Sequence, residues 1–464
     1  MEEIIVRAAD AEAFDAWRQR AKSTGWCRNP IRLVGASERI DSLTGEIVSH
    51  FSSSGLPDRT LLKACGHRRA TRCPACSATY QADAYQLVAA GLRGGKGIPE
   101  SVSRHPAVFA TLTAPSFGAV HAAFNGDQPN TGCRTGDGTC GHGRPKQCDI
   151  RHPTNDQIVG QPLCPECFDY IGAVLWNAHA GELWRRTTIA IHRAIANLSG
   201  TRRKELPRHV RLSFTKVVEY QRRGSVHVHA VIRLDHPDDV NRALDGQFDT
   251  RLLLTAIARA ARRAIAPSPS TEGIAPPFRW GTQIDLRPID QSGAPSKAVA
   301  GYLAKYATKS TDPAGVLDHR LKQNDLGHLE DRLSPHLARM VRTAWELGGR
   351  PELEHLRLRA WAHTLGFRGH WLTKSRRYST TFAALRAARH DWQYKQHEDD
   401  PAPEETVTIG SWMFAGRGWS TDGDAWLAET AGAAAAESRR LAAEQRREER
   451  LASRAGNETE RPDE

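Results

Sequence analysis

Residues 217–232 read Val217-Val218-Glu219-Tyr220-Gln221-Arg222-Arg223-Gly224-Ser225-Val226-His227-Val228-His229-Ala230-Val231-Ile232. β-branched and aromatic residues flank Arg222-Arg223-Gly224, which predicts strands over about 209–220 and 225–234 closed by a three-residue loop with glycine at its left-handed position. Alternation puts His227 and His229 on one face, about 7 Å apart along the strand. Counting outward from the loop pairs Gln221 with Ser225 and sets Glu219 opposite His227, on the face of both imidazoles. A two-residue turn would send the carboxylate to the other face. Two imidazoles and a carboxylate with open positions suit Mg2+ or Mn2+ acting on a phosphate. Alone, the two histidines could equally face water, and Glu219 could pair with Arg222 or Arg223.

Support comes from Ala300-Gly301-Tyr302-Leu303-Ala304-Lys305-Tyr306-Ala307-Thr308-Lys309. Tyrosines four apart share one helix face. A phenol with a pKa near 10 is a weak nucleophile without a cation or a metal-bound phosphate to help it. Lys305 and Lys309 stand where either charge could be stabilised. They flank Tyr306, which favours it as the first nucleophile, and a second tyrosine allows attack while the first still carries its product. In isolation the pair would read as helix aromatics packed on a sheet.

The paired tyrosines and the His-x-His strand together resemble the HUH endonucleases, in the two-tyrosine form of phage and plasmid replication initiators. Cys-x-x-Cys pairs before and after Phe109-Ala110-Thr111-Leu112-Thr113-Ala114-Pro115 make about Cys27 to Arg389 most similar to the initiators of actinobacterial plasmids and integrative elements. The resemblance implies an α+β fold: an HUH-type antiparallel sheet with flanking helices, zinc-binding elements and a helical, basic C-terminal region. It also implies an acidic third metal ligand, agreeing with Glu219, and a Phe109–Thr113 strand beside the histidine strand. The implied activity is nicking of single-stranded origin DNA to a 5′-phosphotyrosine and a free 3′-OH for rolling-circle replication. Implied partners are single- and double-stranded origin DNA, a host helicase and a host DNA polymerase. The chain carries no Gly-x-x-x-x-Gly-Lys-Ser/Thr loop, so unwinding is assigned to the host.

The chain has 464 residues, with 64 Lys and Arg against 53 Asp and Glu, a formal charge of +11 and a pI of about 9.4. That excess favours a polyanionic partner. No run of eighteen apolar residues occurs and Met1-Glu2-Glu3 lacks a signal-peptide start, so a soluble cytoplasmic protein is expected, with no membrane contact. In that setting the nine cysteines point to structural zinc rather than disulfides, with about two ions per chain. Cys27, Cys65, Cys73 and Cys76 make the first expected ligand set, with His67 a substitute for Cys27. Cys164 and Cys167 anchor the second with Cys140 and Cys148, leaving Cys133 aside and His142 and His152 nearby.

Expected regions are a zinc-binding segment over 1–100, the endonuclease domain over 101–310 with a zinc-binding insert near 130–170, a basic helical DNA-binding region over 311–395, and a linker with a solvated helical tail over 396–464. Further strand-like sequence lies at 107–113, and helical patterns at 9–22, 77–92, 168–198, 249–265 and 296–309. The run Gly366-Phe367-Arg368 to Tyr378-Ser379-Thr380-Thr381 mixes glycines, cations and aromatics suited to phosphate contact and stacking.

Other readings compete. His336-Leu337-Ala338-Arg339 followed by Tyr378 loosely matches a metal-free tyrosine recombinase, but it leaves the His-x-His strand unexplained. A relaxase or transposase of the HUH superfamily would share the chemistry. A zinc-stabilised DNA-binding regulator would need no tyrosine nucleophile.

Overall fold

A computed structural model describes residues 9–124, 132–134, 136–269, 277–289, 294–309, 317, 319–394 and 405–459. The loop expected at 125–132 and the linker at 397–406 thus lie largely outside the described residues. The chain divides into two compact units, residues 1–83 with 382–464, and residues 84–381. The first unit therefore joins both chain ends, where the sequence suggested consecutive regions.

In the first unit, β1 (Ile31–Asp41) pairs antiparallel with β2 (Ile47–Ser52) and β3 (Leu61–Lys63). Its remaining edge pairs antiparallel with β9 (Thr406–Arg417) from Ile31↔Arg417 to Asp41↔Thr406. The sequence reading had placed β9 within a linker and tail. The helix Ala11–Ser23 starts at Asp10, whose carboxylate accepts from the Ala13 amide at 3.0 Å. Its Trp17 and Ala21 pack with Ala428 of the C-terminal helix, which runs from Asp422 to Thr459 where a helical tail is expected.

The second unit holds a five-stranded antiparallel sheet ordered β7-β4-β6-β5-β8, from β4 (Ala107–Leu112), β5 (Arg211–Tyr220), β6 (Val226–Asp235), β7 (Ile284–Pro288) and β8 (Leu372–Lys374). β5 and β6 are buried along nearly their whole length, so both faces of this part of the sheet are covered. One face presents Val108, Ala110, Leu112, Val218, Tyr220, Val228, Ala230 and Ile232 to the core. Against it lies the helix Tyr170–Leu198, begun at Asp169, whose carboxylate accepts from the Gly172 amide at 2.7 Å. Its Ala173, Trp176, Ala180, Leu183, Thr187, Ile191 and Ile195 recur at three- and four-residue spacing and are buried. The fully buried Asn177 on this helix donates to the carbonyls of Gly224 (2.9 Å) and Leu365 (3.0 Å), and its own carbonyl accepts from the Val226 amide at 3.0 Å. It thereby pins the β5–β6 loop, and leaving such buried partners unpaired would cost about 1–3 kcal/mol each. The opposite face carries Phe109, Thr111, Glu219, His227 and His229, with the helix Ala294–Lys309 above it, burying Ala300, Leu303, Ala304 and Ala307. Among the described residues, no helix is long and apolar enough to cross a membrane.

Candidate metal and tyrosine site

The hairpin has the register its loop demands. Gln221 donates its amide to the Ser225 carbonyl at 2.9 Å, Gly224 sits at φ 76°, and Glu219 pairs with His227. Glu219 Oε2 lies 2.9 Å from His227 Nε2 and 3.3 Å from His229 Nε2. The edge of an octahedron with bonds near 2.1 Å is about 3 Å, so these three donors fit one divalent ion. Burial pushes the Glu219 carboxyl up, yet hydrogen bonds from His227 and His229 outweigh it and keep it below the usual carboxylate value. Burial also lowers His229, which favours the neutral, ligating imidazole.

Sequence reasoning missed what orients His229. β4 pairs with β6 so that Thr111 faces His229, and Thr111 Oγ1 lies 3.0 Å from His229 Nδ1. When Nδ1–H donates to the hydroxyl, Nε2 carries the lone pair and could ligate an ion held with Glu219. Phe109, two residues earlier on the same face, stacks parallel on His229 at 6.0 Å between ring centroids.

Both tyrosines reach this face. Their ring centroids lie 5.2 Å (Tyr302) and 5.5 Å (Tyr306) from that of His229, and 4.4 Å from each other. Burial, and then the neighbouring Tyr306, push the Tyr302 phenol above its ordinary value. Lys305 Nζ is 5.9 Å from the Tyr306 ring centroid, while the Lys309 side chain lies outside the described residues. Tyr302 borders a cavity of about 440 Å³ lined also by Phe109, Thr111, Val299 and the Asp285–Arg287 ion pair, which is closed at 2.9 Å.

The cysteines group differently from expectation in one respect. Cys27, Cys65, Cys73 and Cys76 converge as expected, with Cys65–Cys76 and Cys73–Cys27 sulfur separations of 3.6 and 3.8 Å, and could hold zinc. His67 stays outside the set. Cys140, Cys164 and Cys167 also converge, but their fourth member is His142, whose Nδ1 is 3.3 Å from Cys167 and 3.8 Å from Cys164. The backbone N–H of His142 draws the Cys140 thiol down to about 6, toward the ligating thiolate. Cys148 is not part of that set. Antiparallel pairing of Arg134 with Cys148 carries it away to lie beside His121, Cys133 and His152.

Of the recombinase-like residues, Tyr378 and His336 are structural. Tyr378 is fully buried and donates its hydroxyl to the Val88 carbonyl at 3.2 Å, so it is closed to DNA. His336 is buried between the Tyr170 hydroxyl and the Arg223 carbonyl, each at 3.1 Å. Much of the 366–381 segment is likewise framework: it buries Phe367 and Tyr378 and supplies β8, which pairs with β5.

Comparison with known proteins identifies the family. Residues 13–433 match the family described as RepSA: Replication initiator protein, pSAM2. A replication initiator protein of Streptomyces ambofaciens is 42% identical over 441 residues, spanning 92% of this chain and 91% of its own length. No solved structure matches. A family match across nearly the whole chain and a relative of this similarity place the chain in the RepSA family of replication initiator proteins.

Proposed function

We propose that this initiator nicks single-stranded DNA at a plasmid origin, with Tyr302 and Tyr306 as nucleophiles and Glu219, His227 and His229 holding one Mg2+ or Mn2+. The observation that carries the reading is the convergence of three ligand atoms beside two tyrosine rings within 5.5 Å of His229. When bound, the ion would supply charge to polarise the scissile phosphate. Tyr306, beside Lys305, is the better first nucleophile, because the Tyr302 phenol is held up by burial and by its neighbour. Its phenol loses a proton to solvent and its oxygen bonds to phosphorus. The bond from phosphorus to the 3′ oxygen breaks, and that oxygen takes a proton from solvent. The bond energy is kept in the 5′-phosphotyrosine, so Tyr302 can exchange or rejoin strands without an outside energy source. The free 3′-OH is the primer for a host polymerase, after a host helicase opens the duplex. The cavity beside Tyr302, walled by Phe109 and Arg287, gives an unpaired strand room to lie.

Incubating the full chain with labelled single-stranded origin DNA and Mn2+ tests this. A denaturant-stable protein–DNA adduct that disappears with EDTA is expected. Binding with no adduct under any divalent ion would favour a purely DNA-binding initiator.

A further inference from the structure

His121, Cys133, Cys148 and His152 come from three separate stretches of the chain, and each offers one ligand atom within 4.8 Å of the other three. His121 Nδ1 is 3.2 Å from His152 Nε2, Cys133 Sγ is 3.6 Å from His121 Nδ1, and Cys148 Sγ is 3.4 Å from His152 Nε2. A zinc tetrahedron with bonds of about 2.05 Å to nitrogen and 2.3 Å to sulfur has nitrogen–nitrogen edges of about 3.3 Å and nitrogen–sulfur edges of about 3.6 Å. Backbone pairing fixes the donors: Arg134 with Cys148, Ala123 with His152, and the His121 amide to the Gln161 carbonyl at 2.8 Å. His152 Nδ1 is 2.9 Å from Asp156 Oδ2, a carboxylate partner that turns Nε2 toward the centre of the group. With this group counted, all nine cysteines of the chain fall into sets of ligand geometry.

The turn that follows His152 lies against the β5–β6 hairpin loop. Arg222, the first residue of its loop, donates to the Asp156 carbonyl at 2.6 Å. Gly160, at φ +91°, passes so close that a Cβ there would sit 2.5 Å from the Arg222 carbonyl carbon, and its amide donates to the His121 carbonyl at 2.8 Å. We propose that His121, Cys133, Cys148 and His152 bind a third, structural zinc ion, which fastens the 153–160 turn against the Arg222-Arg223-Gly224 loop and so holds the hairpin register. This inference does not depend on the nicking reaction. All four positions are filled by protein, so the ion has no open site for substrate.

The test uses the full chain and two readouts that need no nicking. Elemental analysis should give three zinc ions per wild-type chain and two for the Cys133→Ser/Cys148→Ser variant. Hydrogen exchange at the Gln221 and Gly224 amides should speed up at least 10-fold in that variant. Arg222→Ala should also speed exchange there but keep three ions. Two ions in the wild type, or an unchanged content in the variant, would overturn the site. A lost ion with unchanged exchange would overturn the bracing role. Should the variant not fold, zinc X-ray absorption on the wild type decides. Three loaded groups average three sulfurs per zinc, whereas an empty third group leaves seven sulfurs over two ions.

Discussion

Two donor groups in this chain differ in what surrounds them. Cys27, Cys65, Cys73 and Cys76 form a small cluster of their own, three of them buried, and four thiols complete a tetrahedron. Glu219, His227 and His229 sit on a sheet whose other face is packed by core side chains, and they offer only three donors beside two tyrosines. On the proposed reading, the loops around the first would depend on a zinc ion, whereas the scaffold of the second is complete without metal and a bound ion would be available for chemistry. Metal loss should therefore unfold one region and silence the other.

The largest effect is expected where the loops depend on zinc. Structural zinc in small sites contributes on the order of 10 kcal/mol of apparent binding energy, so Cys73→Ser should abolish cooperative melting of the unit formed by residues 1–83 and 382–464. Retained zinc and an unchanged melt would break the comparison. His227→Ala should leave the melting temperature within about 2–4 °C of wild type. It should cost nicking more than the roughly 10–100-fold that an outer partner of a metal ligand supplies. A gel assay with circular dichroism reads both, and unfolding of this variant would mean that the two groups do the same job.

The hairpin was legible because a three-residue loop fixes register locally: once Gly224 is assigned its positive φ, Glu219 must meet His227. Thr111 was not, since β4 and β6 lie far apart in sequence and no loop sets which residue faces His229. The same reason hid the pairing of β1 with β9. The second cysteine group was half legible. Cys164-Pro165-Glu166-Cys167 is a local motif, but the choice between Cys148 and His142 is made by the pairing of Arg134 with Cys148.

Smaller effects sharpen the contrast. Thr111→Val keeps the shape but removes the hydroxyl that orients His229, so Mn2+ affinity measured by calorimetry should fall roughly 10-fold. Unchanged affinity would remove Thr111 from the site. Tyr378→Phe loses one buried hydrogen bond and should cost about 1 kcal/mol in denaturant unfolding with no loss of nicking. A dead Tyr378→Phe enzyme would revive the recombinase reading.

The most direct test traps the covalent adduct formed with single-stranded origin DNA and Mn2+, digests it, and sequences the DNA-linked peptide. It should carry the DNA on Tyr306 or Tyr302, and the Tyr302→Phe/Tyr306→Phe chain should form no adduct while still binding DNA. An adduct on any other residue, or an undiminished adduct in the double variant, would contradict the assignment of these tyrosines as nucleophiles.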